Sequence, residues 1–226
     1  ADFERFSGGM AGPTGAGLHP QSGLALATTW VAGRALHIQN AADTRGAWAD
    51  AVGAASRRLF GEAVGHALSD VAWRQAGLRE RDGGCGAVSP ELRAATAFVG
   101  SWAACLAGAA ECAGLSCWAE FRARCPLTAG ALDACTAALP PPADPENVPV
   151  DWVALLGEAA RGVQRGLSQR VSANARRAIL ASLSERDRAF VRNAGGVGAA
   201  GFLQPPPLGE PRMPAEHFRT AVRLRL

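Results

Sequence analysis

Six cysteines, four histidines and 23 arginines are the side chains in this sequence with the most chemistry to offer. The cysteines, Cys85, Cys105, Cys112, Cys117, Cys125 and Cys135, crowd into the middle of the chain. A structural zinc site calls for a Cys-x2-4-Cys pair followed by further Cys or His ligands. The nearest approach is Cys112 with Cys117, and no histidine follows closely. His19, His37, His66 and His217 are dispersed, with no His-x3-His pair. The spacing therefore favours small buried thiols that act as modest hydrophobes, ahead of zinc ligation or disulfides. No Gly-x-Ser-x-Gly elbow surrounds Ser101 in "VGSWA", so it reads as a small residue on a packed helix. Glu185 with Asp187, and Glu158 with Arg161 and Arg165, read as surface helix pairs rather than acid–base couples.

Every one of the 23 basic residues is arginine; lysine and tyrosine are absent. GC-rich coding accounts for that bias, yet the bias has chemical force. Schiff-base lysine chemistry, the lysine of a phosphate loop and a tyrosine nucleophile are all excluded. The run "GGMAGPTGAG" thus lacks the lysine that a phosphate loop requires. Up to Val148, 11 arginines face 14 acidic residues, a balance of −3; from Pro149 onward, 12 face 6, a balance of +6. Arginine meets phosphate with a planar, bidentate fork. Candidate phosphate contacts are Arg161, Arg165, Arg170, Arg176, Arg177, Arg219 and Arg223. The competing reading is a solvated arginine face.

Helices must position these groups. Strands are poorly supported, because β-branched residues are scarce and no alternating run stands out. The expected fold is all-α, an irregular multi-helix bundle of alanine-rich helices, as one body or two helical subdomains. The segments are a Gly/Pro-rich loop over 1–21, a helical region over 22–139, a Pro-rich linker over 140–150 and a basic helical region over 151–226. Helices are expected over 22–37, after a cap at Asp43–Thr44 with a stop at Gly61, from Ser69–Asp70 to Gly77, and from Ser89–Pro90. The last carries a stripe of Leu92, Ala95, Val99, Trp102 and Leu106. Further helices are expected over 118–124 and 128–139. Asp151 caps an expected long helix, and 172–183 and 184–192 follow. The terminal "RLRL" suits helix better than strand. No stretch approaches ~18 consecutive strongly apolar residues.

Three stretches in order carry a resemblance: "RQAGL" at Arg74, "GGCG" at Gly83 and "AATAFVGSW" at Ala94. Together they resemble the region after the catalytic palm in reverse transcriptases of non-LTR retrotransposon-like elements. Ala42–Ala76 is similar to the thumb-like helices before the glycine turn, and Arg186–Leu226 to the segment downstream. Ala87 and Val88 depart from the Leu and Arg usual after that turn. The resemblance implies the thumb and post-thumb part of an RNA-directed DNA polymerase. Its partners would be an RNA/DNA duplex, held by backbone phosphates, and an upstream palm domain, with no membrane. The expected location is intracellular, cytoplasmic or nuclear. The parent polymerase would use Mg held by paired aspartates. This sequence has no adjacent aspartates, so no catalytic residue and no cofactor is assigned to it. A helical protein–protein interaction module is the alternative, marked by Trp102 or Trp118 in an exposed apolar patch.

Overall fold

The computed structural model describes residues 19–26, 28, 32–87, 89–140, 150–157, 162–204, 206 and 211–226. Among them the chain is all-α, with eleven α-helices, two short 3-10 turns and no strand. The helices are α1 Pro20–Leu26, α2 Ala32–Ala41, α3 Ala47–Val64, α4 Asp70–Ala76, α5 Pro90–Ala113 and α6 Trp118–Arg124. After these come α7 Pro126–Ala137, α8 Trp152–Gly157, α9 Val163–Ser182, α10 Glu185–Asn193 and α11 Ala215–Arg225. Most of the 1–21 loop and of the 140–150 linker lie outside the described residues, as does Arg161.

The chain folds into two compact units. One gathers residues up to Arg34, Ala51–Ser89 and Ala175–Leu226; the other gathers Ala35–Asp50 and Pro90–Asn174. In the second unit, α5 packs against α7 and α8. Seven consecutive residues of α5, Ala94 to Gly100, are buried, which only a run of mostly small side chains allows. Gly100 makes the tightest approach: a Cβ there would stand 2.7 Å from the Cα of Gln164 on α9. Around this seam Phe98, Val99, Leu106, Phe121, Leu132 and Leu155 form the core. Each such side chain contributes about 1.5–3 kcal/mol on burial. Trp118 stacks on Phe121 at 5.0 Å and on Trp152 at 5.8 Å, while Trp102 meets Phe121 edge-on at 5.8 Å. By length and composition α5 is apolar enough to cross a membrane, and half of its apolar window is buried within the fold.

The first unit has its own core of Leu24, Phe60, Val64, Ala76, Leu203 and Phe218. There α11 packs on α1. Ser69 caps α4 by accepting from Ala72 N–H, and Ser184 caps α10 by accepting from Asp187 N–H. In the second unit, Asp151 accepts from Val153 N–H at 2.9 Å and caps α8.

Several local expectations need correction. Asp43 does not cap α3. It binds the backbone N–H and guanidinium of Arg45, and the helix starts at Ala47 after Gly46 with φ +84°. Gly61 is buried within α3, which ends instead at Gly65. Leu92 is exposed, because the first turn of α5 precedes the packed seam. The long helix expected after Asp151 is divided, since Gly162 adopts φ +80° just before α9 begins. That helix then runs through Ser172, where a separate start was expected. The terminal segment, by contrast, is helical as expected, through Arg225. Finally, the cysteines are not uniformly core residues: Cys85 and Cys135 are buried, Cys125 is half-buried, and Cys105, Cys112 and Cys117 are exposed. A seven-residue spacing puts Cys105 and Cys112 on one helix face, and here that face points outward.

Candidate functional site

The glycine turn between α4 and α5 lies in the first unit and is fastened by main-chain hydrogen bonds to α4 and the residues just after it. Gly77 ends α4, and Glu80–Asp82 form a single 3-10 turn closed by Gly83 in the left-handed region at φ +92°. The strand of chain that follows folds back on α4. Cys85 N–H and Ala87 N–H both donate to Ala76 O at 3.0 Å, and Gly86 N–H donates to Leu78 O at 3.0 Å. Gly84 passes so close to α4 that a Cβ would overlap Leu78 O and stand 2.6 Å from Gln75 O. Glycine is the one residue that fits.

Arg225 of α11 holds this turn from inside the unit. It is 7 % exposed and donates to three main-chain carbonyls: Nε to Gly84 O at 2.8 Å, Nη1 to Ala199 O at 3.0 Å and Nη2 to Glu80 O at 2.7 Å. Its guanidinium also lies 6.0 Å from the centre of the Phe202 ring. The buried Gln75 amide completes the lock, donating to Arg225 O at 2.5 Å and Gly83 O at 3.3 Å. Sequence reasoning assigned no role to Arg225 or Gln75. One signal existed: Phe218, Val222 and Arg225 share the buried stripe of α11.

A cavity of about 160 Å³ opens beside the turn. Leu24, Ala25 and Leu203 form its apolar wall; Thr28, Glu80 and Gln204 offer hydrogen bonds. Gln204 Nε2 already donates to Glu80 Oε1 at 3.2 Å. Cys85 lines the cavity too, but burial pushes its thiol up to about 12, against the pull of the neighbouring Arg225. Such a thiol stays protonated and is a poor nucleophile. Among the described residues no group of three His, Cys, Asp or Glu could hold a metal ion.

The sequence-derived arginines are spread over both units. Arg165 is exposed and Arg170 half-buried in the second. Arg176, Arg177, Arg219 and Arg223 belong to the first. Arg176 Nε donates to Asp82 O at 3.4 Å, and Arg177 is exposed. Arg219 Nη1 pairs with Glu216 Oε1 at 3.1 Å. Arg223 Nη2 reaches Val64 O and Gly65 O at 3.5 and 3.4 Å, at the negative end of α3. Arg219 and Arg223 thus come together on α11, whereas Arg176 is tied to the glycine turn. A comparison with protein-family models, curated proteins and solved structures gives no match to this chain.

Proposed function

We propose that this chain is a nucleic-acid-associated helical domain, the thumb and post-thumb segment of a retroelement reverse-transcriptase-like protein. It grips an RNA–DNA duplex through arginine–phosphate contacts and performs no chemistry of its own. The observation that supports this reading is the distribution of charge between the folding units. The first unit holds 16 arginines against 10 acidic residues, +6; the second holds 7 against 10, −3; together they recover the net +3. A basic body of this kind raises the local concentration of a polyanion and binds it without reading sequence.

The alternative, a protein–protein module, calls for Trp102 or Trp118 in an exposed apolar patch. Both are half-buried in the aromatic cluster of the second unit, where Trp118 stacks on Phe121 and Trp102 meets it edge-on.

The test is equilibrium binding of an RNA–DNA hybrid at several salt concentrations. The logarithm of the association constant is expected to fall linearly with the logarithm of salt concentration, by about 0.9 per phosphate neutralised. No binding at low salt, or a slope near zero, would refute the reading.

A further inference from the structure

The C-terminus of α3 ends in a glycine turn. Gly65 adopts φ +76°, its N–H donates to Glu62 O at 3.2 Å, and His66 N–H closes onto Gly61 O at 3.0 Å. This is the pattern in which a left-handed glycine satisfies the last carbonyls of a helix. Two arginines of α11 converge on that bare Cα. A Cβ at Gly65 would lie 3.1 Å from Arg219 Cδ and Nε, and 3.3 Å from Arg223 Nη2. Four residues apart on one helix, the two guanidiniums are thus held at the same spot by a turn of another segment.

Their counter-charge is incomplete. Glu216, with 79 % of its side chain exposed, bonds Arg219 alone. Arg219 Nε is buried with no partner. Arg223 reaches only the two long carbonyl contacts described above. Among the described residues, Arg219 Nη2 and Arg223 Nη1 carry no partner at all. Two guanidiniums that meet at one Cα, with N–H groups left over, match an anion that can bridge them. A tetrahedral phosphate does so with two oxygens, each meeting one fork.

We infer that Arg219 and Arg223, seated over Gly65, form a discrete binding seat for one phosphate group, in the nucleic-acid setting a backbone phosphodiester. The inference rests on the nucleic-acid reading for its natural ligand, but the seat itself is a local property of α3 and α11. Gly65 is part of it, because any side chain there would stand between the two guanidiniums.

The test uses the full chain and inorganic pyrophosphate at constant ionic strength, followed through the arginine Nε–Hε resonances. Arg219 and Arg223 are expected to shift together along one saturating curve. Arg219→Gln abolishes the response of Arg223; Arg58→Gln, an exposed residue outside the seat, leaves it intact. Gly65→Asn, whose residue tolerates the left-handed conformation, weakens binding at least ~10-fold by filling the gap. Absence of saturation, or equal shifts at Arg58 and Arg74, overturns the seat. A duplex arm separates the two readings. If the chain binds hybrid duplex and R219Q/R223Q keeps the salt slope of R58Q/R74Q, the seat fails and the grip stands. If pyrophosphate saturates the pair while no duplex binds, the seat stands and the grip fails.

Discussion

Replacing Arg225 with methionine removes the charge from the glycine turn while nearly filling the same volume. The wild-type guanidinium makes three bonds to carbonyls. Hydrogen bonds from a charged group are worth about 1.5–3 kcal/mol each. Against that gross gain stands the burial of a guanidinium that is 7 % exposed, which costs several kcal/mol. Substitution also strands acceptors. Glu80 O keeps the N–H of Gly83, whereas Gly84 O and Ala199 O rely on Arg225. A buried acceptor left unpaired costs about 1–3 kcal/mol, toward the lower end for a carbonyl. The net expectation is about 3 kcal/mol lost at the turn, or roughly a 100-fold rise in local opening.

Native-state hydrogen exchange reads this directly at the amides of Cys85 and Ala87, bonded to Ala76 O of α4, and of Gly86, bonded to Leu78 O just beyond it. Their exchange should accelerate by roughly 100-fold in Arg225→Met. The amides of Cys125 and Ala129, bonded to Phe121 O and Cys125 O in the other unit, serve as reference and should hardly change. Arg225→Lys keeps the charge but loses the planar fork, and should recover less than half of the protection. A change smaller than about 0.5 kcal/mol at the turn, or an equal one in both units, refutes the assignment of Arg225 as its lock.

Two further outcomes follow from packing. Gly100→Ala should destabilise the second unit by about 1–3 kcal/mol, seen as a lower urea midpoint, because the new methyl would stand 2.4 Å from Cβ and 2.7 Å from Cα of Gln164, atoms that cannot swing aside without moving the backbone. A thiol reagent followed by peptide mapping should modify Cys105, Cys112 and Cys117 in the folded protein. Cys85 and Cys135, both buried with thiols pushed up to about 12, should react only on unfolding, and early labelling of either would contradict their placement.

Local rules made much of the fold readable in advance. Ser69, Asp151 and Ser184 cap helices because a short polar side chain reaches N–H groups two or three residues on, which sequence spacing alone decides. The helical reading of the last segment followed from Phe218 and Val222 four residues apart. The misses share a different origin. Both Gly61 and Gly65 could end α3 by residue type; the end falls at Gly65, which takes the left-handed conformation while His66 N–H closes onto Gly61 O. Leu92 fits the apolar period of α5 but is exposed near the start of that helix. The exposed face of Cys105 and Cys112 has the right period and the wrong side, since periodicity gives a face and not its partner. Arg225 was on the buried stripe of α11; what no local pattern could supply was the set of carbonyls, at Glu80 and Gly84, far away in the chain.

The arginine-only composition connects the fold to the proposed role. A lysine at 225 could not present three N–H groups in the plane that Glu80 O, Gly84 O and Ala199 O require. Codon bias supplies arginine everywhere; this position makes structural use of it. The same habit alters how the basic charge should be counted. Arg176, Arg223 and Arg225 spend N–H groups on main-chain carbonyls, so fewer forks are free to meet phosphate than the tally of arginines suggests. Carbonyls carry no net charge, however, and a carbonyl-bonded guanidinium keeps its full +1. The long-range field of the first unit therefore survives intact, while its directional contacts fall to the arginines whose N–H groups are not all spent on carbonyls. Steering of a polyanion and seating of a single phosphate become separable properties. A neutral substitution at Arg176, which is bonded to Asp82 O and lies outside the seat, should weaken the first and leave the second to Arg219 and Arg223.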